Sequence, residues 1–164
     1  MEVSYVDIPT QTFDYQGLFG NELFTELSDL YRHCFGMQLY QSQWTGTELL
    51  LLEGTRIYFL KLDDTLVATA CIVPCAHGIY NLPQVENTCF FYNICVHPDH
   101  RRQGHARYLL ETIFSFQELS DVVKSYTLEI EPSNIGAVNL YSSLGFRDMG
   151  PSENPGRALM IKDR

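Results

Sequence analysis

Positive charge is scarce in this sequence of 164 residues: 11 Lys and Arg stand against 20 Asp and Glu, a formal net charge of −9. Nucleic acids and anionic membranes recruit proteins through a Lys/Arg footprint, so neither is an expected partner. An acidic surface suits a cationic substrate such as an amine, although solubility alone also accounts for it. Long apolar runs are missing too. Leu49 to Leu52 is only four leucines long, far short of the roughly 18 apolar residues of a membrane span. Met1 to Thr10 has neither a basic start nor an apolar core, so no signal peptide is expected there. No repeat, low-complexity tract or linker interrupts the chain.

The cysteines also exclude more than they suggest. There are five of them, Cys34, Cys71, Cys75, Cys89 and Cys95, an odd number at spacings that match no disulfide framework. Four lie in or next to apolar, strand-like runs, where a free Cys behaves as a small hydrophobe. Cys71, Cys75 and His77 lack the second half of a metal site. The expectation is a reducing, cytoplasmic compartment and no metal.

What is present is ordinary globular material. Hydrophobic residues make up 45 % of the chain and aromatics 13 %, enough for a packed core rather than disorder. One domain over residues 1–164 is the simplest account of this length. Asn21 is placed to cap a helix from Glu22 to about His33, with Leu23, Leu27, Leu30, Tyr31 and Cys34 on one stripe. A less marked segment runs from Trp44 to Glu53. Arg56 to Leu62 and Thr65 to Val73 read as strands joined by an Asp63-Asp64 hairpin turn. Residues 74–88 carry Pro74, Gly78 and Pro83 and read as loop.

Cys89 to Val96 is a nearly continuous apolar run, as in a strand buried on both faces. A helix from about Gly104 to Glu118 follows, with Ala106, Leu109, Leu110, Ile113 and Phe114 in helical register. Tyr126 to Glu131 alternates as a strand, and Pro132 ends it. Ser133 or Asn134 caps a helix carrying Ala137, Leu140, Tyr141 and Leu144, and Gly145 stops it. Short strands at Phe146 to Met149 and Ala158 to Ile161 close the chain. The order gives a mixed α/β (α+β) domain with one central sheet.

The most informative stretch joins the buried strand to the amphipathic helix: Ile94-Cys95-Val96-His97-Pro98-Asp99-His100-Arg101-Arg102-Gln103-Gly104-His105-Ala106. A helix start leaves backbone N–H groups without partners and carries the positive end of the macrodipole, so it binds phosphates readily. Gly104 and Ala106 let phosphates approach the backbone, and Arg101 and Arg102 add cationic charge. Neither Gly-x-Gly-x-x-Gly nor a P-loop is present. The turn therefore points to a nucleotide phosphate of another kind.

Arg101-x-x-Gly104-x-Ala106, after a strand ending Val96-His97-Pro98, resembles the acetyl-CoA signature of the GNAT superfamily of N-acetyltransferases. Leu128-Glu129-Ile130-Glu131-Pro132-Ser133-Asn134, then Ala137, Leu140-Tyr141 and Leu144-Gly145-Phe146, resembles the second GNAT signature. Both occur in order. The resemblance is sharp over residues 94–146, rests on element order over 56–93 and from 147 on, and is vague over 1–55. The motif segments are most similar to the bacterial enzymes that acetylate the N-terminal amine of a ribosomal protein. Most of these positions serve cofactor and fold, so the acceptor does not follow from them.

The resemblance implies a GNAT fold, a single central, mostly antiparallel sheet flanked by helices, and acetyl transfer from acetyl-CoA to a primary amine. It implies that the backbone of Ile94, Cys95 and Val96 holds the pantetheine arm. It places the pyrophosphate against Arg101, Arg102, Gln103, Gly104, His105, Ala106 and Arg107, chiefly through backbone N–H groups. Asn134 caps a helix and, in the family, also contacts the cofactor.

Glu129 is the candidate base that neutralises the ammonium. It shares a strand face with Thr127 and Glu131, and that face also reads as plain solvated surface. Glu131 is a weaker candidate, placed to attract the cationic amine. Tyr141, holding its proton at neutral pH, is the candidate acid for the leaving thiolate, and it also reads as a core tyrosine. An acetyl-Cys95 intermediate is disfavoured, and His97, His100 and His105 read as turn and surface residues. The family often has Gly where Arg102 stands, and Ala106 replaces the commoner Gly. The rival from another class is a non-catalytic acyl-CoA-binding module. A small amine or polyamine is the alternative acceptor to a protein or peptide amine.

Overall fold

In a computed structural model of the chain, residues 1–9, 14–39, 48–49, 54–74, 87–116 and 123–164 are described. The elements run β1 (Glu2–Asp7), α1 (Tyr15–Phe35), β2 (Gln38–Leu39), β3 (Glu48–Leu49), β4 (Arg56–Leu62), β5 (Thr65–Pro74), β6 (Thr88–Val96), a 3-10 turn (Pro98–His100), α2 (His105–Ser115), β7 (Ser125–Ile130), α3 (Ile135–Ser143), β8 (Arg147–Pro151) and β9 (Ala158–Asp163). Seven strands form one mostly antiparallel sheet in the order β1-β4-β5-β6-β7-β9-β8, and β2 pairs with β3 separately. Most of the expected Trp44–Glu53 segment and of the 74–88 loop, Cys75 and His77 included, lies outside the described residues. No helix among the described residues is long and apolar enough to cross a membrane.

By its internal contacts the chain divides into two compact units, Met1–Cys71 with Asn93–Ile113, and Ile72–Tyr92 with Phe114–Arg164. In the first, Ile57 to Leu60 of β4 are all buried, as the apolar run predicts. Asp63 and Asp64 turn the β4–β5 hairpin at φ 47 and 65. Positive φ at both central residues matches the twist of the flanking strands, and Asp tolerates it better than most residues.

α1 starts earlier than Asn21 suggested. Asp14 caps it, accepting from the Gly17 N–H at 2.8 Å. Gly20 then breaks the helical path at φ 74 and ψ 163, a conformation cheap only for glycine. Asn21 lies just past this break, and its Oδ1 accepts from Gln16 Nε2 at 2.7 Å. Leu27, Leu30 and Tyr31 bury the expected stripe.

β1 was not legible in advance, because four of its six residues are exposed and it shows no apolar alternation. It pairs antiparallel with β4 from Glu2↔Lys61 to Asp7↔Arg56. Arg56 forks onto Asp7 at 2.5 and 3.0 Å and lies 4.1 Å over the Tyr5 ring.

In the second unit, Thr88 to Phe91 of β6 pair parallel with Ser125 to Leu128 of β7. A parallel pair needs a crossover, and α2 lies between these strands in the chain. β7 then pairs antiparallel with β9 along its whole length, from Ser125↔Asp163 to Ile130↔Ala158. Phe91, Phe114 and Tyr126 pack as a triangle, with ring centroids 5.0 to 5.9 Å apart.

Candidate active site

The turn after β6 is tightly wound. The His97 N–H donates to Val67 O at 2.8 Å, and His97 Nδ1 accepts from the Asp99 N–H at 3.3 Å. Arg101 Nε donates to Val96 O at 3.1 Å, and Gln103 Nε2 to Asp99 O at 3.3 Å. Arg102 and Gly104 then take left-handed backbone, at φ 63 and 86. That explains why glycine is common at the first position: a side chain there costs about 1–2 kcal/mol. The path turns α2 so that it begins at His105.

Hydrogen bonds engage none of the amide N–H groups of Arg102, Gln103, Gly104, His105 and Ala106 among the described residues. The Tyr108 N–H bonds back to Gly104 O at 3.0 Å. The turn therefore presents a row of donors at the positive end of an 11-residue helix.

His105 departs from its surface assignment. It is buried, its ring lies 6.2 Å from that of His100, and its Nε2 has no partner among the described residues. Such an orphaned donor or acceptor is costly unless something meets it. Free amides and an orphan imidazole fit an anionic phosphate group. Arg107 lies beside them, 3.4 Å from Glu111. No group of metal ligands is present among the described residues.

Along β6, Asn93 is left-handed at φ 49, an interruption of the strand just before Ile94, Cys95 and Val96. The pairing of β6 with β7 has by then ended, at Phe91↔Leu128. Cys95 is buried, and burial pushes its thiol well above the usual cysteine range. That argues against Cys95 as an acyl-accepting nucleophile.

The candidate base and acid, Glu129 and Tyr141, belong to the second unit. The face of β7 that carries Glu129 is not a solvated one, since Ser125 and Thr127 on it are buried. Glu129 itself is part-buried, and both carboxylate oxygens are held: Oε1 accepts from Ser152 Oγ, and Oε2 from Asn154 Nδ2 at 2.7 Å. Arg157 Nη2 meets Glu131 Oε1 at 3.3 Å. The connection between β8 and β9 thus grips both acids. Ser152 and Asn154 were not singled out from the sequence, where they resemble any polar turn ahead of Pro155-Gly156.

Asn134 caps α3, its side chain accepting from the Ala137 N–H at 3.2 Å. Tyr141 is buried. The Phe146 N–H donates to Tyr141 O and the Gly145 N–H to Ser142 O, both at 3.0 Å, with Gly145 at φ 92. These are the two bonds of a Schellman motif, and the Tyr141–Phe146 ring pair at 5.8 Å supplies its apolar contact. The Leu-Tyr-x-x-Leu-Gly-Phe pattern therefore has a complete structural reason, beside which any chemical role of the Tyr141 hydroxyl must stand.

The sequence model of the Acetyltransferase (GNAT) family matches residues 21–146. The chain belongs to that family. Among GNAT relatives, the [ribosomal protein bS18]-alanine N-acetyltransferase of Salmonella typhimurium is 36 % identical over 107 residues, covering 64 % of this chain and 65 % of that enzyme. The enzyme of the same name from Escherichia coli K12 is 44 % identical over 57 residues, covering 35 % of this chain and 38 % of its own length. The alignments thus span less than two thirds of either relative. The crystal structure of the ribosomal-protein-S18-alanine N-acetyltransferase from Escherichia coli superposes at a TM-score of 0.60 with 20 % identity, over 98 % of this chain and 91 % of that one. At that identity the likeness concerns the fold, and the fold is GNAT.

Proposed function

We propose that this GNAT protein is an acetyl-CoA-dependent N-acetyltransferase acting on a primary amine of a protein or peptide. The observation that carries the reading is the row of unengaged amides from Arg102 to Ala106 at the start of α2, directly after β6. Acetyl-CoA brings the acetyl group as a thioester. The amides of Arg102 to Arg107, with Arg101 and Arg102 as cations, hold its pyrophosphate. The backbone of Ile94, Cys95 and Val96 holds the pantetheine, and Asn134 contributes beyond its capping role.

Glu129 takes the proton of the ammonium, directly or through water, and Ser152 and Asn154 fix its orientation. Each carboxylate oxygen accepts one bond from these donors, leaving lone pairs for a proton in transit. Tyr141 returns a proton to the departing thiolate. The names of the relatives support a protein amine as acceptor, and the net charge of −9 suits a cationic one. Free thiols at Cys34, Cys71, Cys89 and Cys95 support a cytoplasmic setting.

One observation favours the rival, a non-catalytic acyl-CoA-binding module. The grip of Ser152 and Asn154 on Glu129 also reads as a latch that closes the β8–β9 connection. Kinetics of Asn154→Ala separate the two. A catalytic Glu129 predicts that acetyl transfer to a peptide amine falls about tenfold or more as positioning is lost. A latch predicts weakened folding with no transfer in either protein.

A further inference from the structure

Asn93 combines two features that strand packing does not explain. Its backbone is left-handed at φ 49 inside strand β6. Asparagine is among the few residues that tolerate this conformation, and residues held in it cluster at active sites. Its side-chain Nδ2 is shielded from solvent and has no hydrogen-bond partner among the described residues. An amide donor kept from water and left unmet is destabilising, and a ligand oxygen would relieve it. The residue as a whole is only part-buried, and the χ2 torsion of asparagine is soft, so a small rotation presents the amide to a ligand.

The order of the chain says which oxygen that is. Asn93 belongs to the first unit, with Ile94 to Val96 and the turn that follows them. With the pyrophosphate on the turn from Arg102 to Arg107, the pantetheine runs back along Val96, Cys95 and Ile94. The thioester end of the arm then falls at Asn93. We propose that the side-chain amide of Asn93 donates to the thioester carbonyl of acetyl-CoA and stabilises the oxyanion formed there. This role rests on the acetyl-transfer reading above and adds to it the group that meets the developing charge.

In the step concerned, the neutral amine nitrogen attacks the carbonyl carbon, and the C=O π pair moves onto oxygen. Collapse re-forms the C=O bond and breaks the C–S bond, whose electron pair leaves on sulfur. The nitrogen sheds its proton and the thiolate gains one, so the products are an amide and free CoA thiol. A thioester oxygen is a weak acceptor, whereas the tetrahedral oxyanion is charged and accepts strongly. The bond from Asn93 therefore tightens as the transition state is approached, which raises kcat more than it strengthens binding. A neutral amide suits this place, because a carboxylate there would repel the oxyanion.

The test pairs kinetics of the full chain on a peptide amine with infrared spectra of bound acetyl-CoA, isotopically labelled at the thioester carbonyl. Asn93→Gly removes the donor and keeps the left-handed backbone, so the urea midpoint should change little. Its kcat should fall about 10²–10³-fold, with KM for the peptide and Kd for acetyl-CoA within about threefold of the parent. Asn93→Asp keeps the shape but offers an acceptor in place of the donor, and should lose at least as much. The carbonyl stretch of bound acetyl-CoA should lie at lower frequency in the parent than in Asn93→Gly. The same frequency in both, or a loss confined to KM for the peptide, would overturn the role of Asn93 and leave acetyl transfer standing. Acetyl-CoA that binds neither the parent nor the variant would overturn the acetyl-transfer reading, and this role with it.

Discussion

Replacing Tyr141 in two ways separates its structural from its chemical role. Tyr141→Phe keeps the ring, and with it the 5.8 Å contact to Phe146 and the helix-closing bonds through Tyr141 O and Gly145. It removes only the hydroxyl, so the stability lost should be that of one hydrogen bond, about 0.5–1.5 kcal/mol. Tyr141→Ala also removes a buried ring and should cost about 3–5 kcal/mol. If the hydroxyl protonates the leaving thiolate, acetyl transfer should fall about 10²–10⁴-fold in both variants. Urea unfolding together with acetyl-CoA turnover on a peptide amine reads both quantities. Tyr141→Phe with near-native stability and a rate within about threefold of the parent would refute the chemical role. Tyr141 would then be only the aromatic that closes α3.

Three further substitutions follow from local geometry. Arg102→Gly relieves a left-handed side-chain residue at about 1–2 kcal/mol, less about 0.5–1 for glycine's entropy; calorimetry should show a small gain in stability and weaker acetyl-CoA binding as a cation is lost. Asn134→Ala removes the cap on the Ala137 N–H and should cost about 1 kcal/mol in urea unfolding, with Asn134→Ser recovering most of it. Thr127→Val replaces a buried hydroxyl that has no partner among the described residues and should raise thermal stability by about 1 kcal/mol; a loss of that size would mean that the hydroxyl is satisfied in solution.

Those elements were legible in the sequence whose residues answer only to local rules. Asp63-Asp64 turns the hairpin, Asn134 caps α3 and Gly145 ends it, each for the reason its residue type suggested. The run from Cys89 to Val96 is strand β6. The elements that escaped depend on partners. β1 carries no apolar pattern because it is an exposed edge, defined by pairing with β4. α1 began at Tyr15, about two turns before Glu22, because Asp14 capped it and Gly20 let it bend, which the stripe from Leu23 onward does not encode.

The site divides in the same way. The turn proposed to hold phosphate was visible because its candidate role lies in backbone geometry, which Gly104 and the strand-to-helix switch announce. The surroundings of Glu129 were not. Its face of β7 is buried beside Thr127, and its donors Ser152 and Asn154 come from 23 and 25 residues downstream. His105 was misread because position in a polar turn does not reveal burial.

The most direct measurement is the release of free CoA thiol from acetyl-CoA across a panel of peptide N-termini, lysine peptides, polyamines and small amines, with Glu129→Gln alongside. The account predicts amine-dependent release, favouring a peptide or protein amine, that falls at least a hundredfold in the variant. Binding of acetyl-CoA with no release for any amine, and no effect of Glu129→Gln, would contradict it and leave an acyl-CoA-binding module in its place.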